Sequence, residues 1–143
     1  MRRISIALGL ALLAAPALAS DPVQGEWLAP HADTKVRLEP CAGAPDRLCG
    51  RISWLLRPNG VSGGPRRDIN NPDPQLRSRP KLGLPLLSGF RRVQPGRWDG
   101  GKIYDPDSGK TYDSKLKVNP DGTLDVEGCI LILCQRQTWK RAF

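Results

Sequence analysis

From Thr111 to Val118 the chain alternates strictly. Tyr112, Ser114, Leu116 and Val118 fall on one side, and Thr111, Asp113, Lys115 and Lys117 on the other. A period of two with the charges on one face predicts a half-buried strand. The residues before it alternate less cleanly, with Trp98, Gly100, Lys102 and Tyr104 on one face and Gly101 and Ile103 on the other. Between the two runs stands Asp105-Pro106-Asp107-Ser108-Gly109, where proline presets a turn and glycine supplies a positive φ. Residues 97–118 therefore read as a hairpin with aromatic residues at the base of both arms.

The same pattern extends over the rest of the chain. Short extended runs are predicted at 25–28, 35–39, 48–56, 86–93, from Leu124, and near 135–141. In the third run Ile52, Trp54 and Leu56 share a face. Turn clusters such as Pro95-Gly96 and Asn119-Pro120-Asp121-Gly122 separate the runs. Strands at this spacing without a helical stretch predict an all-β antiparallel sandwich or barrel. About eight strands close into an up-and-down barrel, which removes the exposed edges of a small sheet. Residues 58–85 break every periodicity. Their turn-forming Asp68-Ile69-Asn70-Asn71-Pro72-Asp73-Pro74 and their anchors Leu76, Leu82, Leu84 and Leu86 predict one long ordered loop over a barrel end. A single helical turn is expected to start at Asp73-Pro74.

The N-terminus changes the compartment. Met1-Arg2-Arg3, the apolar run Ile4–Ala15 and Ala17-Leu18-Ala19 have the layout of a cleaved secretory leader, and the run is shorter than the roughly 20 residues of a membrane span. The expected organisation is a leader at 1–19 and one β-barrel domain at 20–143, periplasmic or secreted, with no membrane span. Four cysteines follow the leader: Cys41, Cys49, Cys129 and Cys134. An oxidising compartment makes these two disulfides, and of three connectivities the local pairs Cys41–Cys49 and Cys129–Cys134 each bracket a bend. Zinc lacks its CxxC spacing and has only His31 to draw on.

Charge is uneven. The net +8 falls to +6 without Arg2 and Arg3, while 57–97 alone carry nine cations against Asp68 and Asp73. Such a field attracts anions. Export excludes nucleic acid, so acidic glycans, lipid head groups or a small anionic ligand fit better. Familiar catalytic motifs fail one by one. Gly96–Ile103 matches a phosphate-binding loop until Ile103 replaces the Ser or Thr that holds magnesium. Asp105, Asp107 and Gly109 start like a calcium loop, but Leu116 stands where its bidentate acid belongs. His31 has no nucleophile motif to serve.

Several segments resemble a family of small exported bacterial proteins, domain of unknown function 2147. They are Gly25-x-Trp27, Leu48-Cys49-Gly50-Arg51-Ile52-x-Trp54-Leu55, Asn70-Asn71-Pro72-Asp73-Pro74-x-Leu76-Arg77-x-Arg79-Pro80, Gly101-x-Ile103-Tyr104-Asp105-Pro106-x-x-Gly109-Lys110-Thr111-Tyr112 and Gln137-Thr138-Trp139. The resemblance covers the chain beyond the leader. It implies a calycin-like, lipocalin-like barrel in which Gly-x-Trp opens the first strand and Arg141 covers Trp27. It implies no reaction and no catalytic residue.

The leading expectation is a non-enzymatic binding module for a small or anionic envelope-associated ligand, without a cofactor or metal. Trp54, Trp98, Tyr104 and Tyr112 would wall a pocket at one barrel end, with Arg77 and Arg79 at its mouth. One rival is a hydrolase of envelope polymers using Asp99 and Asp105, six residues apart on one strand. The other is a structural or protein-binding barrel, which an interior filled by side chains would favour.

Overall fold

The computed structural model describes residues 21–143, so the leader expected at 1–19 lies outside the described residues. Eight strands run β1 Gly25–Leu28, β2 Thr34–Cys41, β3 Ala44–Leu55, β4 Pro85–Gln94, β5 Arg97–Asp105, β6 Lys110–Val118, β7 Leu124–Ile130 and β8 Leu133–Arg141. Each pairs antiparallel with the next, and β8 returns to β1, closing the barrel. The connections alternate between two ends. One end carries the β1–β2, β3–β4, β5–β6 and β7–β8 links, including the long loop; the other carries only short turns. Both local disulfides form, Cys41–Cys49 and Cys129–Cys134.

Two strand faces differ from the simple alternation, each because of an inserted residue. In β3, Lys35 and Val36 are successive on β2 yet pair with Trp54 and Ile52, which leaves Ser53 extra. Ile52 and Leu55 are consequently buried, while Trp54 and Leu56 turn to solvent. In β5, Gly100 at φ +69° is the extra residue between Trp98↔Leu116 and Gly101↔Ser114. Trp98 and Gly101 thus share a face, and Lys102 falls opposite, paired with Asp113. A bulge of this kind moves every later side chain to the other side of the sheet.

The interior is filled. Trp27, Trp139, Phe90, Leu38, Leu48, Leu87 and Leu124 are each under 2 % exposed and form one core with Val23, Val36, Leu116 and Val126. The Phe90 ring lies against the backbone of Gly101 so closely that a Cβ there would overlap it. A smaller cluster of Ile52, Leu55 and Leu84 ties the end of the long loop to β3, with Gly83 and Leu84 exchanging backbone hydrogen bonds with Ile52.

Closure between β1 and β8 spans just two pairs, Trp27↔Arg141 and Leu28↔Lys140. The Arg141 guanidinium sits 4.0 Å from the Trp27 ring centroid, as the resemblance implies. It also donates to the Gln24 carbonyl at 2.6 Å and to that of Pro22, while the Trp27 indole donates to Val23 O at 2.8 Å. One side chain thereby fixes the segment that leads into β1.

Removing that group tests how far closure depends on it. Arg141→Ala is expected to lower unfolding stability by about 0.5–2 kcal/mol, and Arg141→Lys to recover only part, since lysine lacks the planar group. Denaturant unfolding followed by Trp fluorescence measures both; silence in both variants contradicts the expectation.

Candidate functional site

The long loop between β3 and β4 is built around one carboxylate. Asp68 is fully buried and receives the Tyr104 hydroxyl on Oδ1 at 2.6 Å. Its Oδ2 receives Asn71 Nδ2 at 2.8 Å and Arg79 Nε and Nη2, each at 3.0 Å. Burial pushes this carboxyl up, but the Tyr104, Asn71 and Arg79 hydrogen bonds and the Arg79 charge outweigh it, holding the group below its ordinary value. Burial, then the hydrogen bond to Asp68 and its charge, push the Tyr104 phenol up to about 12.

The polar motif of the loop is explained by the contacts around this centre. Asn71 Oδ1 accepts from Asp73 N, and Asp73 Oδ1 accepts from Gln75 N, starting the expected single turn, a 3₁₀ helix at Pro74–Leu76. Arg77 Nε donates to Asn71 O at 2.7 Å. Asn70 Nδ2 donates to Asp107 O at 2.9 Å in the β5–β6 turn, and Lys81 Nζ pairs with Asp107 Oδ1 at 2.6 Å. Gly109, at φ +72°, has the Asn70 carbonyl where a Cβ would stand. The loop is thus clamped onto the β5–β6 hairpin. Ionised, and with both oxygens occupied by donors, Asp68 serves as a strut.

Of the residues expected at a pocket, Tyr104, Arg77 and Arg79 are brought together, all three on this strut. Trp54 is separate: it is 37 % exposed, with Lys35 Nζ 5.3 Å from its ring centroid. Tyr112 pairs with Ile103, and Trp98 pairs with Leu116 four positions further along β6 and joins the core. The carboxylates Asp99 and Asp105 are each occupied locally, Asp99 by Gly100 N at 2.6 Å and Asp105 by Asp107 N at 3.0 Å and Ser108 Oγ at 2.6 Å. Asp68 and Asn71 escaped sequence reasoning as a centre, because Tyr104 reaches Asp68 from 36 residues away.

A second feature lies on the wall of β5–β8. A surface depression of about 300 Å³ is bounded by Arg97, Trp98, Lys115, Lys117, Asp125, Glu127 and Arg136. Arg97 stands directly opposite Lys117 in the strand register. Arg136 is engaged by Asp125 at 3.8 Å and Glu127 at 3.3 Å, whereas Arg97, Lys115 and Lys117 make no ion pair among the described residues. Trp98 is 8 % exposed, and its indole nitrogen has no hydrogen-bond partner among the described residues.

A closed eight-stranded antiparallel barrel with an arginine over its first-strand tryptophan is a lipocalin-like architecture. In agreement, the chain superimposes with a TM-score of 0.69 on a Helicobacter pylori protein, HP1028, described as belonging to the lipocalin family. The two are 23 % identical, over 87 % of this chain and 85 % of that one. The chain belongs to the family described as "Uncharacterized protein conserved in bacteria (DUF2147)", whose pattern matches residues 25–141. No curated protein matches it.

The strut predicts a pH dependence. A carboxyl lowered in the fold adds stability above its unfolded pKa of about 3.9, and that stability is lost as pH falls through the lower folded value. Asp68→Asn is therefore expected to cost about 1–3 kcal/mol at pH 7 and to flatten the acid limb of stability against pH. Arg79 is about a third exposed, which places the ion pair's own share at the low end. Urea unfolding from pH 2 to 7 reads both effects, and an unchanged acid limb contradicts the assignment.

Proposed function

We propose that the protein is an exported, non-enzymatic binding module that takes a small anionic ligand on the outside of its barrel, in the depression between Arg97 and Arg136. Export is supported by the leader pattern at 1–19 and by the two disulfides, which persist in oxidising compartments. The filled interior, where Trp27, Trp139 and Phe90 occupy the space a lipocalin-like barrel can give to a ligand, argues against a pocket at the barrel end and favours the structural or protein-binding reading over it. A binding module of this fold therefore takes its ligand on the outside.

The observation that carries the reading is the placement of Arg97 opposite Lys117 at the rim of the depression. Like charges directly opposite on adjacent strands destabilise a sheet, a cost that Asp125, opposite Lys117 on β7 but shared with Arg136, offsets only in part. An anion seated between them converts that repulsion into two charge-assisted contacts. Lys115 adds a third uncommitted cation, and the unpartnered Trp98 indole lies in the same wall.

Binding of inorganic tripolyphosphate, followed by calorimetry at low and physiological salt, tests this. The double variant Arg97→Ala/Lys117→Ala is expected to weaken binding at least tenfold, about 1.4 kcal/mol, with no loss of melting temperature, because a repulsion has been removed. Absence of binding at low salt, or equal binding by the double variant, overturns the proposal.

A further inference from the structure

The Cys129–Cys134 disulfide closes a hairpin whose four enclosed residues, Ile130, Leu131, Ile132 and Leu133, are all apolar and all exposed. Leu131 and Ile132 at the turn are 90 % and 94 % exposed. Leu131 has φ +55°, the left-handed region that glycine or asparagine normally takes in a hairpin turn. Every residue of β8 from Leu133 to Thr138 is exposed and pairing with β1 begins only at Lys140, while β7 stays paired to β6 as far as Cys129, so the turn beyond the disulfide borders the β5–β6 wall with its side chains in solvent. Packing within the fold does not explain a leucine in that conformation, at that exposure, held there by a covalent staple.

The hairpin belongs to a pattern. All the exposed large apolar side chains except Val93 and Phe143 sit at the long-loop end of the barrel or on the strand ends leading into it. In the long loop, Asn59 and Pro65 bridge to make a small arm with Val61 fully exposed near its tip. Cations flank it: Arg57 and Arg66 make no ion pair among the described residues, and Arg67 and Arg77 donate only to the backbone carbonyls of Ser78 and Asn71. The acids Asp68 and Asp107 at this end are already taken by Arg79 and Lys81, leaving Asp33, Asp73 and Asp105 without an ion pair among the described residues, against those four arginines and Lys110. The turns at the opposite end, Ala42-Gly43, Pro95-Gly96 and Asn119–Gly122, carry no large apolar residue.

From this asymmetry we propose that the long-loop end docks on an anionic lipid bilayer, with Leu131 and Ile132 entering the headgroup–acyl boundary and the loop arginines meeting lipid phosphates. Apolar tips on the β7–β8 turn and the Val61 arm, at the same barrel end as the loop arginines, fit a deformable anionic surface, which needs no pre-shaped pocket. The tip borders the depression on the β5–β8 wall, with Asp99 and Lys115 lining both, but it includes neither Arg97 nor Lys117, so variants at those two positions separate the proposals.

Sedimentation of the oxidised protein with phosphatidylcholine vesicles, with and without a phosphatidylglycerol fraction, tests it. Partitioning should be on the order of tenfold stronger with the anionic lipid and fall with added salt. Leu131→Asp/Ile132→Asp should abolish it while leaving far-UV circular dichroism and the wild-type melting temperature in place, since both side chains lie in solvent. Arg97→Ala/Lys117→Ala should partition like the parent. Failure to bind anionic vesicles overturns the proposal, as does binding that survives the double aspartate variant or is lost in the wall variant. A dimer in sedimentation velocity that the aspartate variant dissolves, without vesicle binding, reassigns the tip to a second copy of the chain and overturns it equally.

Discussion

Everything in this barrel depends on the contact between its first and last strands. β1 has four residues and meets β8 over two pairs, too little backbone to close a cylinder securely. The Arg141 guanidinium supplies what the short strand lacks, stacking on Trp27 and binding the carbonyls of Gln24 and Pro22. Trp27 is thus held from above by a cation and from within by the core. Gly25 has no Cβ to stand in the way: one there would lie 2.9 Å from Arg141 Nη1. The Gly-x-Trp pattern and the arginine that ends β8 are two halves of one lock.

Once the cylinder is closed, the side chains that fill it decide where a ligand can go. Trp27, Trp139 and Phe90 occupy the centre, and the missing side chain of Gly101 makes room for the Phe90 ring. A lipocalin-like outline therefore encloses a packed core, and both proposed surfaces lie outside it, on the wall and at the long-loop end. The polar residues of the long loop complete the same division. Asp68 and its donors hold the loop against the β5–β6 hairpin, freeing Arg57, Arg66 and Val61 to face outward.

Strand number, order and disulfide pairing were legible in the sequence because each rests on a local pattern or on the geometry of closure, and the Trp27–Arg141 contact because the family resemblance implies it. Alternation in 111–118 survives unchanged in β6, with Ser114 and Leu116 buried and Lys115 and Lys117 exposed. The errors of face arise at Ser53 and Gly100, where one inserted residue reverses the parity of all that follow. Glycine marks the second bulge; nothing about serine marks the first. The pocket expected from Trp54, Trp98, Tyr104 and Tyr112 relied on those parities, so its members are spread over solvent, core and loop. Arg79 reaches Asp68 and Arg77 the carbonyl of Asn71, in a segment that the sequence marks only as a turn. The apolar run 130–133 falls between two predicted strands, and only the fold shows that it is exposed.

The two disulfides join cysteines that are consecutive in the chain, Cys41 with Cys49 and Cys129 with Cys134. An oxidant that couples thiols in their order of appearance, as a chain emerges from its N-terminus, makes the native pairs at the first attempt. Vectorial oxidation therefore demands no reshuffling of wrong bonds, even though the strands that close the barrel are the first and last to arrive. Under an oxidant of that kind each staple can precede closure of the cylinder, since neither pair needs a residue from the opposite end of the chain.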